Sequence, residues 1–199
     1  MRRALNSGWA KAAAFAALST PAVWMAWQGY RDELGPNPIE AITRGTGIWT
    51  LRVLLISLAI TPARKLLGLP ELIRFRRLAG LFAFFYATLH LFTYLWLDKF
   101  FAWPEIWQDV VKRRFITAGM LAFALLVPLA ATSTAGWIRR LGGRRWQALH
   151  RLVYISAIAG VVHYLWLVKA GVIKPGIYAA ALGVHMAWRA LDWFRRRRA

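Results

Sequence analysis

The sequence predicts an all-α fold: a polytopic membrane protein built as a six-transmembrane-helix bundle, one domain over residues 1–199, with both termini cytoplasmic. Three observations predict it. Hydrophobic residues make up 59% of the 199, more than a soluble globule of this size can bury. The charge is nonetheless extreme, 27 Lys+Arg against 8 Asp+Glu for a formal net charge of +19. That combination suits a membrane protein with its charges confined to loops, and neither a soluble domain nor a disordered basic tail. The bases also fall unevenly along the chain, as they do when cytoplasmic loops retain them. The absence of Cys excludes disulfides, Cys-ligated zinc, iron–sulfur clusters and covalently attached haem, so any metal must be held by His or carboxylate.

Crossing the hydrocarbon takes about 20 apolar residues per helix, because the backbone polar groups must be bonded within the segment. Six stretches qualify: residues 10–27, 47–62, 78–97, 115–132, 148–168 and 175–193. The first follows Met1-Arg2-Arg3 and resembles a secretory signal, but Lys11 splits its apolar run and Trp24, Met25 and Trp27 carry it past any small-residue cleavage site. It is expected to be retained as a helix. The second stretch contains Arg52, the third His90, the fifth His150 at its start and His163 further along, and the sixth His185. The connections are expected to be short loops. The longest, around 28–43 and 98–114, leave no room for another domain.

With the N-terminus inside, the inner side receives Arg2, Arg3, Lys11, Arg64, Lys65, Arg74, Arg76, Arg77, Arg139, Arg140, Arg144, Arg145, Arg151, Arg189, Arg195, Arg196, Arg197 and Arg198. These are 18 of the 27 bases, and only Glu71 and Asp192 accompany them, so the inner side carries +16 against +3 outside. Topology and attraction to anionic membrane lipid therefore explain the charge, and nucleic acid is not an expected partner. Of the 12 Trp, Trp27, Trp96, Trp103, Trp107, Trp137, Trp146 and Trp193 lie near predicted helix ends, where an amphipathic ring anchors at the interface.

Ionisable groups inside a membrane are costly, so each is a functional candidate. His90 lies about 12 residues into the third helix and His163 about 15 into the fifth; both helices run outward, which puts the two imidazoles near one depth in the outer half of the bilayer. Ala83, Ala87, Tyr86 and Tyr94 share the face of His90, and Ser156, Ala159 and Gly160 that of His163. Small faces give room for a flat macrocycle between two axial imidazoles, or pack helices closely. Haem ligation, histidines bonded across a bundle, and a proton or ion path all remain open on spacing alone. His150 stands 13 residues before His163, roughly 20 Å away along the axis but about 140° off in azimuth. It could serve an inner redox group, with His185 as a partner or as a bundle histidine. Arg52, Arg74, Arg77 and Arg151 could each meet a propionate, a flavin phosphate or a lipid phosphate, or snorkel to headgroups. Gly-rich phosphate loops, G-x-S-x-G, H-E-x-x-H and paired intrahelical carboxylates are missing from the sequence.

Four sets of motifs stand out: Thr46-Gly47-Ile48-Trp49 with Arg52 and Ile60-Thr61-Pro62; Arg76-Arg77-Leu78-Ala79-Gly80-Leu81 leading to Ala87-Thr88-Leu89-His90-Leu91; Thr132-Ser133 and Arg144-Arg145-Trp146-Gln147-Ala148-Leu149-His150; and His163-Tyr164-Leu165-Trp166 with Lys169. Together they resemble the MsrQ (YedZ) family of haem-binding membrane subunits, within the ferric-reductase-like transmembrane superfamily. The resemblance spans nearly the whole chain. It implies a bacterial inner-membrane electron-transfer subunit in which His90, His150 and His163 are the haem-linked, iron-binding histidines and the haem is b-type. It implies electrons drawn from the quinone pool or a flavin donor, with FMN associated, and passed to a separate periplasmic molybdopterin-containing methionine sulfoxide reductase that repairs oxidised proteins. The substrate-reducing site would then lie on that partner. The superfamily's inner histidine on the third helix is Arg here, so one haem or two remain open, and His185 matches none of the motifs. Only Arg195 to Ala199 follow the last helix, so the electron donor is expected to be a separate molecule. A stand-alone ferric or oxygen reductase module, and a non-haem transporter or proton path, are the competing readings.

Overall fold

The computed structural model describes residues 5–168 and 171–198, without the side chains of residues 196 and 198. Arg2, Arg3 and Lys169 lie outside the described residues, as do the Arg196 and Arg198 side chains. Helices account for the secondary structure of the described residues: α1 Gly8–Tyr30, α2 Pro38–Leu66, α3 Ile73–Phe92, α4 Trp103–Lys112, α5 Arg114–Ala131, α6 Ala135–His150, α7 Leu152–Leu167 and α8 Ile173–Arg198. A 3₁₀ turn at Pro70–Leu72 leads into α3, and a π-helical turn at Thr93–Asp98 follows it. Four helical runs are long and apolar enough to cross a membrane, Pro38–Leu66, Pro70–Asp98, Arg114–Ala131 and Ala135–Leu167. The first and last predicted spans also form helices, α1 and α8, but fall outside that set.

Local chemistry sets the helix ends. At the start of α2, Asn37 accepts from the Glu40 amide at 3.2 Å and donates to the Glu40 carboxylate at 3.1 Å, while Pro38 occupies the first turn, where its missing N–H costs nothing. Gly68, at φ 62°, reverses the chain after α2. Two connections read as loops are helical instead. Residues 103–112 form α4, whose buried Ile106 and exposed Trp103 and Trp107 give it two distinct faces. Residues 135–150 form α6, broken at Gly142 (φ 72°). His150 therefore closes α6, and α7 starts two residues later.

The bundle is built from two close pairs, α2 with α3 and α5 with α7; contacts between the pairs are sparser. Val53, Ala83, Tyr86 and Ser156 are wholly buried within the bundle. The Ser156 hydroxyl donates to the Ala122 carbonyl at 2.9 Å, which draws α7 onto α5. A Cβ on Gly160 would sit 3.2 Å from Leu51 Cδ2, so that glycine admits α2. The small face around His163 is thus largely spent on helix packing rather than on room for a macrocycle.

Prolines inside helices leave carbonyls unbonded, and side chains from other helices take them up. Pro62 has no N–H for the Leu58 carbonyl, and Arg189 of α8 donates to it at 2.8 Å. Near Pro21 of α1, the Tyr86 hydroxyl stands between two backbone groups, accepting from the Ala22 amide at 3.2 Å and donating to the Leu18 carbonyl at 2.7 Å. Lys65 and Asp192, 2.7 Å apart, add a second tie between α2 and α8.

Candidate site between two imidazoles

Helices α3 and α7 bring His90 and His163 together with ring centroids 6.0 Å apart and planes at 76°. Each ring sits over one turn of a neighbouring helix in the same way. His90 Nδ1 lies 3.0 Å from the Thr43 carbonyl of α2, and His163 Nδ1 lies 2.6 Å from the Phe115 carbonyl of α5. Four residues beyond each carbonyl stands a glycine. A Cβ on Gly47 would approach His90 to 3.1 Å, and one on Gly119 would approach His163 to 2.8 Å. A helix carbonyl is normally screened by the side chain one turn further on; with glycine there, an imidazole can reach it. Because a carbonyl only accepts, Nδ1 must donate in both rings, which leaves the lone pair on Nε2. That is the tautomer of a metal-ligating histidine held by an outer hydrogen bond. The Thr46 hydroxyl stands 3.5 Å from His90 Nδ1, and the π-helical turn begins three residues after His90.

His150 lies at the other end of the bundle, half-buried and stacked on Trp146 at 3.8 Å. Its Nδ1 donates to the Trp146 carbonyl at 3.1 Å. Its Nε2 is buried without a hydrogen bond, the Leu129 carbonyl lying near the ring but outside bonding geometry. Arg76 lies near the imidazole, and Arg189 and Tyr154 lie near Arg76; the Arg189 guanidinium lies 4.9 Å from the Tyr154 ring centre and its Nε is buried and unbonded. His185 has only Arg189 as a charged neighbour and makes no hydrogen bond among the described residues. Arg77 and Arg151 are exposed, Arg74 donates to the Leu5 carbonyl, and Arg52 meets Tyr178 and Trp49. None of these four arginines contacts the paired imidazoles.

Sequence reasoning quoted Gly47 and Arg76 within motifs and gave Arg76, Arg189, Gly47 and Gly119 no role at the site. Arg76 carried a readable signal: it lies 14 residues before His90, nearly four full turns, and so shares that face, whereas Arg77 does not. The two glycines lie on helices other than those of the histidines, and spacing along α3 or α7 could not find them.

Bundle and site together define a class: membrane-embedded helical proteins that offer paired imidazoles between helices. The profile of the family described as "Ferric reductase like transmembrane component" matches residues 46–161. Proteins named "Protein-methionine-sulfoxide reductase heme-binding subunit MsrQ" are similar over most of the chain. The one from Rhodospirillum rubrum is 55% identical over 186 residues, 94% of this chain and 89% of the relative. That from Caulobacter vibrioides is 53% identical over 179 residues, covering 90% and 84%. That from Xanthomonas campestris is 48% identical over 195 residues, covering 95% and 89%. The chain belongs to the ferric-reductase-like transmembrane family and, within it, to the MsrQ family.

Proposed function

We propose that the chain is the b-type haem electron-transfer subunit of a protein-methionine-sulfoxide reductase system. It sits in the bacterial inner membrane as one six-span domain with both termini cytoplasmic. The observation that carries the reading is the imidazole pair, each ring fixed in the Nε2-ligating tautomer and the centroids 6.0 Å apart. A metal–imidazole bond is about 2 Å long, so two of them plus the ring radii put the centroids of an axial pair roughly 6 Å apart. Among the described residues no cluster of three or more His, Cys, Asp or Glu could hold a bare ion. Two protein ligands suffice where a porphyrin supplies the other four. The residues fit a haem.

When bound, haem supplies a one-electron ferric/ferrous couple. The protein supplies the position. Thr43 and Phe115 fix the two rings, Gly47 and Gly119 let them reach those carbonyls, and α2 and α5 brace them from behind. At the end rich in Arg64, Lys65, Arg76 and Arg189, which we place inside, the buried Nε2 of His150 supports a second redox group, a haem or FMN. Arg77 and Arg151 are exposed there and suit headgroups or a flavin phosphate. Electrons enter from the quinone pool or a cytoplasmic flavin donor and leave to a periplasmic molybdenum-containing reductase. The names of the relatives support that destination.

Reduced-minus-oxidised spectra of the purified protein test the reading. His90→Ala or His163→Ala should abolish the outer haem's difference absorbance, whereas His185→Ala should leave it. Haem retained in both of the first two variants would end the axial-pair assignment, and a colourless wild-type protein would return the proton-path reading.

A further inference from the structure

Helix α4 presents three faces. At about 100° per residue, Trp103, Trp107 and Val111 share an arc about 80° wide, Glu105, Gln108 and Lys112 a second arc about 60° wide, and Ile106 with Asp109 the remaining side. The third face is buried against the bundle, and the second is exposed and polar. The first is exposed and apolar, with Trp103 62%, Trp107 70% and Val111 65% accessible. A helix that meets only a bundle and water needs two faces; the extra apolar one is aimed at neither.

Its surroundings say what covers that face. Helix α4 joins the end of one run long and apolar enough to cross a membrane, Pro70–Asp98, to the start of another, Arg114–Ala131. It therefore sits where two spans leave the hydrocarbon. Phe100 and Phe101 make the bend into it with φ 46° and 58°, a left-handed conformation that residues with a Cβ seldom adopt. The bend lays the Phe101 ring 6.2 Å from Phe92 and 6.0 Å from Trp103, and Phe92 in turn stands 5.6 Å from Trp96. Phe92 and Trp96 are exposed on the flank of the spanning run, where lipid covers them. The tryptophan face of α4 is thus continuous with a lipid-covered flank, and a soluble partner would have to reach past headgroups to touch it.

Indole rings settle at the boundary between hydrocarbon and headgroups, their N–H groups toward water. A helix lying there keeps a polar face such as Glu105, Gln108 and Lys112 in water while its apolar face sinks about 5–10 Å. We infer that α4 lies in the membrane–water boundary with Trp103, Trp107 and Val111 on lipid. The inference rests on the membrane placement of the bundle and not on the haem. It also gives the helix a task beside the imidazole pair. From the third face Asp109 accepts from Tyr94, four residues past His90, and pairs with Arg113, two residues before Phe115, whose carbonyl holds His163. The lipid boundary under α4 sets the height of this strut between the end of α3 and the start of α5.

The chain has no Cys, so single cysteines report their position without background. Trp107→Cys, Val111→Cys, Gln108→Cys and Lys112→Cys, each labelled with the fluorophore NBD in phosphatidylethanolamine–phosphatidylglycerol nanodiscs, test the inference, with Trp96→Cys as the lipid reference and Pro36→Cys as the water reference. Iodide should quench positions 107 and 111 about threefold less than 108 and 112, and doxyl-labelled lipid should quench 107 and 111 as it does 96. Equal iodide quenching at all four positions would overturn the inference. Protection of 107 and 111 that appears only once a soluble reductase subunit is added would overturn it too, and would assign the face to a protein partner. Brominated lipid gives a check without labels: it should quench the tryptophan fluorescence of wild type more than that of the double variant Trp103→Phe, Trp107→Phe, and equal quenching of the two would contradict the lipid-facing placement.

Discussion

Gly119 and Gly47 carry more of the site than their size suggests. An added methyl at Gly119 would lie 2.8 Å from His163 Nδ1, closer than such contacts occur, and one at Gly47 would lie 3.1 Å from His90 Cε1. Overpacking of this kind costs about 1–3 kcal/mol, and here the imidazole is what must give way. Gly119→Ala should therefore lower the haem-to-protein ratio and loosen the iron ligation, and Gly47→Ala should do so less. Equal, wild-type haem content in both would show that the rings do not depend on those turns. The histidines themselves were legible, because residues on parallel helices can be compared by depth from the sequence alone. Their supports were not: the Thr43 and Phe115 carbonyls belong to every sequence, and only the packing of α2 on α3 and of α5 on α7 makes them partners.

Two elements show how single polar groups hold helices in place. Tyr86 is 0% exposed and its hydroxyl bridges the Ala22 amide and the Leu18 carbonyl of α1 beside Pro21. Tyr86→Phe removes the bridge and leaves the Ala22 amide and Leu18 carbonyl, one helical turn apart, only each other, at about 1 kcal/mol for the lost tie to α1. Thermal unfolding in detergent should fall accordingly, with faster hydrogen exchange confined to α1; unchanged exchange there would contradict the bridging role. At the connection between α3 and α5, Asp109 of α4 accepts from the Tyr94 hydroxyl at 3.0 Å and pairs with Lys99 at 3.1 Å and Arg113 at 3.0 Å. Burial by itself would push the Asp109 carboxyl up, but Lys99, Tyr94 and Arg113 together hold it below its ordinary value. A carboxyl depressed by folding stabilises the fold above its unfolded value, about 3.9, and loses that contribution as pH falls through the folded value. Amides of residues 103–112 should exchange slowly at neutral pH and faster once the medium is acidic enough to protonate Asp109. Asp109→Asn should exchange fast throughout; a wild-type profile in that variant would remove the clasp from the account. The long apolar helices were legible from composition. Helix α4 was not, because ten residues fall far short of a span and its alternation of Ile106 with Trp103 and Trp107 makes sense only once a bundle lies beneath it.

At the scale of the whole molecule, two close helix pairs meet along a seam, and each contributes one imidazole and one bracing turn to it. Tyr86 and Arg189 hold the flanking helices α1 and α8 to this frame by taking up backbone groups beside Pro21 and Pro62. The sequence predicted six spanning segments by counting apolar runs, and helices cover all six places. Length and hydropathy single out four, because α1 carries Lys11 and α8 carries Arg189, Asp192 and a run of arginines. The electron paramagnetic resonance spectrum of the ferric protein tests the central claim most directly. An iron held between the imidazoles of His90 and His163, whose planes stand at 76°, should give a low-spin signal of strong axial anisotropy that disappears in either alanine variant. A high-spin signal in wild type, or a low-spin signal that survives the loss of both histidines, would contradict it.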